Sequence, residues 1–136
     1  MKKFTQALGA VLILLLVFVS CSTREDDQLA NEPFVGTWNW VSTDGGIANT
    51  HDTPESTGIT RTMTFTADNH FKVMENNVTV NEGTYQITRQ VTNTDHVERT
   101  FINFSDYPDL MVKSVDASDL FLAEDANDGF SYHYSK

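Results

Sequence analysis

The sequence predicts an all-β fold, an eight-stranded antiparallel up-and-down meander that closes into a small barrel. Three observations predict it. No stretch of ten or more residues after position 21 shows helical periodicity. The chain runs instead as short alternations of apolar and polar residues, separated by Gly, Asn, Asp and Pro turn chemistry. The first alternation, Gly36-Thr37-Trp38-Asn39-Trp40-Val41, sets two indoles on one face of a strand. Eight strands in an open sheet would expose two edges, and closure removes them.

The segment before the barrel is of another kind. Residues 1–20 read as an export signal: Lys2 and Lys3 begin it, and 7–19 is an unbroken run of apolar residues and glycine. Those thirteen residues are too few to span a bilayer, which takes about 20. Phe18-Val19-Ser20-Cys21 resembles a bacterial lipobox, whose strict form has Leu where Phe18 stands. That resemblance makes Cys21 the mature N-terminus and the lipid-bearing residue, with palmitate-like chains anchoring the protein in the outer membrane; each buried methylene contributes about 0.8 kcal/mol. Cys21 is the sole cysteine, so a disulfide framework is excluded. Residues 21–32 read as a flexible acidic tether. Its Glu25-Asp26-Asp27 either resembles the surface-export signal of some Gram-negative lipoproteins or is a solvated linker.

The domain proper is expected over 33–136. The strands follow in order at 36–41, 59–66, 70–75, 84–89, 98–104, 110–115, 119–123 and 130–134. Between the first two lies a long connection, 42–58, rich in turn residues and expected to be a lid, a binding loop or simply mobile. The second strand alternates cleanly, with Ile59, Arg61, Met63 and Phe65 on one face and threonines on the other. Asn76-Asn77 starts a turn or bulge. In the fifth strand Phe101 opposes Ile102 and Phe104, so both faces are expected to be partly covered. Asp125 to Gly129 carries a hairpin signal, because Asp-Gly favours positive dihedrals. The inward set is bulky: Trp38, Trp40, Met63, Phe65, Phe71, Tyr85, Ile87, Phe130 and Tyr132.

Charge removes some functions. The formal net charge is −10. Loss of Lys2 and Lys3 would leave seven basic against nineteen acidic side chains, or −12. Such a chain repels phosphate backbones and anionic membrane, so no nucleic acid is expected as a partner. His51, His70, His96 and His133 have no metal-ligand spacing, and Ala126 breaks the calcium-loop pattern around Gly129. No metal, cofactor or catalytic residue is expected, because no nucleophile elbow or linked Ser, His and Asp motif is present.

Gly36-Thr37-Trp38 resembles the Gly-x-Trp on the first strand of lipocalins. The long connection after it lies where lipocalins carry the loop over the open end of the barrel, and the strand count agrees. On these residues 33–136 is similar to the small lipocalin-like domains of bacterial lipoproteins. The resemblance implies a lipocalin-like barrel with Gly36 and Trp38 as its closing motif.

An eight-stranded barrel is either filled by its side chains or holds one small ligand. Arg61 and Arg89 share strand parity with inward apolar residues. Either they join Tyr132 or Tyr134 in gripping the carboxylate of an apolar ligand, or they reach from strand ends to solvent or acidic neighbours. Ile47, the one large apolar side chain of the long loop, is placed to plug the mouth. Two functions follow as expectations: a non-enzymatic envelope module that binds a small apolar ligand, or an interaction lipoprotein with a filled barrel that docks another envelope protein.

Overall fold

The computed structural model describes residues 28–136. Cys21, the export signal and the acidic cluster lie outside them. The strands are β1 (Gly36–Gly45), β2 (Thr50–Asp52), β3 (Arg61–Phe65), β4 (His70–Glu75), β5 (Val78–Val91), β6 (Glu98–Phe104), β7 (Leu110–Val115), β8 (Asp119–Ala123) and β9 (Phe130–Ser135). All pairings are antiparallel, and β9 returns to β1. Eight strands therefore close a barrel, and the short β2 is added outside that ring, on β1 alone.

The register shows how closure works. The first half of β1 pairs with β3, Trp38 opposite Met63, and its second half with β9, Trp40 opposite Tyr134. A bulge between Trp40 and Ser42 bends the strand between the two. β2 then takes the place beside 43–45 that β3 does not reach.

Alternation fills the interior. Trp38, Met63, Phe65, Val73, Tyr85, Ile87, Ile102, Leu120, Leu122 and Tyr134 are each buried to 1 % exposure or less. Rings meet edge to face, Phe65 on Tyr85 at 4.9 Å and Phe71 on Phe104 at 4.7 Å between centroids. Removing each such side chain from water is worth about 1.5–3 kcal/mol.

One end is sealed. The Trp38 Nε1 donates to the Phe34 carbonyl at 2.7 Å, and Lys136 Nζ lies 4.1 Å from the Trp38 ring centroid while donating to the Val35 carbonyl. Leu29 N bonds the Ile87 carbonyl, and Asn31 Nδ2 bonds Asn69 and Ala67. The end of the stretch read as tether is thus held against the barrel.

Several boundaries differ from expectation, each for a local reason. Residues 42–58 are not a single irregular loop. β1 continues to Gly45, a four-residue turn leads into β2, and Pro54–Thr57 forms a short helix, α1. Thr53 caps α1 by bonding Ser56 N, and Gly58 ends it in the left-handed region. Gly46 closes the β1–β2 turn at φ +72, with no room for a Cβ against the Phe130 ring. β5 begins at Val78 rather than 84, because Asn76 and Asn77, at φ 48 and 64, form a tight two-residue hairpin turn. The turn before β9 uses no positive φ at Gly129; a Cβ there would stand 2.9 Å from that of Glu124.

Phe101 is buried to 5 % exposure although it points away from Ile102 and lies outside the interior cluster. Its cross-strand partners are Thr88 and Met111. Nearer the ends of the strands, the turn at 92–97 crosses to the turn after β8, where the Asp125 carboxylate accepts from Asn93 N at 2.6 Å and from Thr94 Oγ1 at 3.0 Å.

Candidate functional site

The open end of the barrel is the mouth between the β1–β2 hairpin, α1 and the starts of β3 and β9. Alternation brings Trp40, Arg61 and Tyr132 there. A recess of about 330 Å³ is lined by Trp40, Asp52, Ile59, Arg61, Tyr107, Phe130 and Tyr132, with Thr43 and Thr57. Trp40 is held in place by its Nε1, which donates to Thr43 Oγ1 at 2.9 Å.

Arg61 is the one cation in this recess. β3 pairs it with Glu75 on β4, and both Nε (2.8 Å) and Nη2 (2.7 Å) reach the same carboxylate oxygen. Its guanidinium also lies 5.0 Å from the Trp40 ring centroid. Burial disfavours its charge, but the hydrogen bond to Glu75 together with the electrostatic pull of Tyr134, Glu75 and Tyr107 leaves its pKa raised. Burial pushes the Tyr107 phenol up, and the nearby Arg61 charge opposes the shift. Burial likewise raises Tyr134, which sits inside the barrel beside Arg61. Tyr132 is raised by burial and by its bond to Glu124. Glu124 receives the Tyr132 hydroxyl at 2.7 Å and the Phe130 amide at 3.1 Å.

The chemistry of this arrangement is specific. Glu75 already occupies the arginine fork, so Arg61 does not offer a free grip for a ligand carboxylate. With Asp52, Glu75 and Glu124 around it, the mouth repels anions. Its aromatic walls suit a neutral, flat or apolar group.

The residues expected to cooperate do not all meet. Arg61 and Tyr132 line the mouth, and Tyr134 is buried inside the barrel next to Arg61. Arg89 does not face inward: β5 starts beside Glu75 and carries Arg89 towards its other end, where it is exposed and 3.5 Å from Glu98. The strand outruns the interior there, so parity no longer implies burial. Ile47 does not plug the mouth. It stands 91 % exposed at the tip of the β1–β2 hairpin, because β1 and β2 carry the turn out into solvent. Gly36 and Trp38 lie at the sealed end.

Glu75, Glu124, Tyr107 and Lys136 were not singled out by sequence. Strand pairing offered a signal for the first, since 61 and 75 are equidistant from the Ala67-Asp68-Asn69 turn. The others depend on contacts between distant strands.

Two further arrangements need chemical reading. Ser42 Oγ donates to Asp44 at 3.0 Å, and Asp44 is also hydrogen-bonded by His51. The Asp44 carboxylate stands between the Ser42 hydroxyl and the His51 imidazole, whereas activation of a serine by an imidazole would need the reverse order. The larger concavity, about 580 Å³, is an open trough on the outer face of β3–β5, lined by Thr64, Thr66, Phe71, Lys72, Met74 and Glu82 among others. Arg61 and Tyr132, expected to form a site, are at the mouth instead. Among the described residues no three His, Cys, Asp or Glu are grouped to hold a metal ion.

No protein-family model matches this chain, and none of the curated proteins or solved structures is significantly similar to it.

Proposed function

We propose that this protein is a lipid-anchored, lipocalin-like protein of the bacterial outer membrane that docks another envelope protein and performs no catalysis. In this reading Cys21 carries the anchor, and the barrel is the displayed module. The observation that supports docking over carriage is the filled interior. Trp38, Tyr85, Tyr134, Phe65 and Met63, all below 2 % exposed, occupy the space that a carried ligand would need. Recognition is then left to the surface.

A second reading has its own support. The mouth recess, walled by Trp40, Tyr107, Phe130 and Tyr132, is large enough to seat part of a small apolar molecule at the rim. Native mass spectrometry of the full chain, extracted from its own membranes in mild detergent, separates the two. A complex with a second protein, abolished by surface substitutions and retained in Trp40→Ala, is the expected result. A bound small molecule lost in Trp40→Ala, with no protein complex, would replace docking by ligand binding.

A further inference from the structure

Several strand edges of the barrel lack a partner: β6 meets β7 at only two rungs, Phe101–Met111 and Ile102–Leu110, and the first half of β5 is unpaired on one side. Residues 85–91 of β5 pair with β6, but 78–83 pair with β4 alone. The last rung on the β6 side is Ser105 N to the Thr84 carbonyl, at 2.9 Å. There β6 turns away. The Asp109 carboxylate holds that turn by accepting from Phe104 N at 3.0 Å and Asn103 Nδ2 at 2.8 Å. Gly83 marks the junction: a Cβ on it would stand 2.2 Å from Ser105 Oγ.

Beyond the junction, Val78-Thr79-Val80-Asn81-Glu82 presents backbone N–H and C=O groups on its open side to water. Val78 and Val80 are 63 % and 51 % exposed. Such an edge invites another strand, and proteins usually guard it with Lys, Pro or a covering loop. This segment has neither Lys nor Pro. Its one irregularity is a bulge at Val80, opposite Val73 and Met74, which restricts pairing to a short stretch.

We propose that the open edge of β5, from Val78 to Gly83, is a strand-addition site for an extended, basic segment of a partner protein. This rests on the docking function proposed above and gives it a location. Incoming main chain would continue the line that β6 leaves at Ser105, and alternate side chains would meet Val78 and Val80. The charge around the edge selects the occupant. Glu82 and Asp106 border it, with Lys72 paired across from Glu82 and His70 across from Thr84. A second copy of this chain, with net charge −10, would bring acid against acid. A strand flanked by Lys or Arg is steered in.

The test is amide hydrogen exchange on the full chain in detergent micelles, with the synthetic peptide Lys-Val-Thr-Val-Lys as probe. Saturating peptide is expected to slow exchange in 78–84 by about tenfold. The same peptide N-methylated on alternate amides, its glutamate-flanked counterpart, and the exposed-site variant Val78→Lys/Val80→Lys are each expected to abolish the effect. No slowing, or equal slowing by the methylated or acidic peptide, overturns the proposal. Dimerisation of the peptide-free chain that is lost in the double variant also overturns it, in favour of a second copy. A native protein complex that survives Val78→Lys/Val80→Lys retires this edge and leaves the docking function standing. Absence of any complex with the unaltered chain retires the docking function even where the peptide binds.

Discussion

At the sealed end of the barrel Lys136 lies over Trp38 and donates to the Val35 carbonyl; at the mouth Arg61 lies over Trp40 and is bound to Glu75. Both ends thus cover a β1 indole with a cation, yet the results differ. At the sealed end the acceptor is a backbone carbonyl, the N-terminal segment folds underneath, and Trp38 is 0 % exposed. At the mouth the acceptor is a carboxylate, further acids stand nearby, and a recess remains beside Trp40. The sealed end is therefore built for closure. The mouth is built to neutralise a charge without filling the space around it.

The largest expected effect breaks the sealed end. Trp38→Ala removes a fully enclosed side chain and its Nε1 bond to Phe34, and should cost about 3–5 kcal/mol, a large share of the total stability of a domain this size. Trp40→Ala removes an indole that borders an existing recess and should cost less. Urea unfolding of both variants measures the contrast. Equal losses would show that the mouth is packed as tightly as the base.

The second effect concerns the two cations. Arg61→Met strands the partly buried Glu75 and should cost about 1–2 kcal/mol, between the values for exposed and buried pairs. Adding Glu75→Gln should recover much of that loss. Lys136→Met, which strands no carboxylate, should cost no more than about 1 kcal/mol. A double-mutant cycle that finds no coupling between 61 and 75 would remove the neutralisation argument for the mouth.

These contrasts also explain what was legible in the sequence. The strands at 70–75, 98–104, 110–115 and 119–123 appear at the expected boundaries, because two-fold alternation and turn residues are local signals. The coverage of both faces around Phe101 was legible for the same reason. The extension of β1 to Gly45 was not, because Ser42, Thr43 and Asp44 are polar and β2 has no apolar alternation; long-range pairing with β9 makes them a strand. The candidate site was half legible. Parity places Arg61 at the interior surface, but parity cannot say where a strand outruns the core, which is why Arg89 misleads. That Arg61 is already neutralised follows only from the β3–β4 register.

The smallest expected effect tests a third contact, which like the mouth depends on a carboxylate. Hydrogen bonds from Thr92 and Arg99 hold the Asp95 carboxyl down to about 2. Those from Asn93 and Thr94 lower Asp125 below its usual range. An unfolded chain titrates these groups at about 3.9, so below that value it binds more protons than the folded chain. Their stabilisation is therefore complete above about pH 4 and is lost as pH falls through the folded values. The Asn93 and Thr94 amides, which bond Asp125 directly, give a local readout. After correction for intrinsic exchange, their protection should hold from pH 7 to about 4 and fall towards pH 2. Asp125→Asn should reduce that protection at pH 7 by roughly tenfold and flatten the acid limb. Lys136 over Trp38 involves no carboxylate, so protection at the sealed end should stay level across the same range. If protection at Leu29 and Val35 falls in step with Asn93 and Thr94, the sealed end and the 92–97 turn unfold as one unit. The contrast between the closed base and its carboxylate-held periphery would then fail.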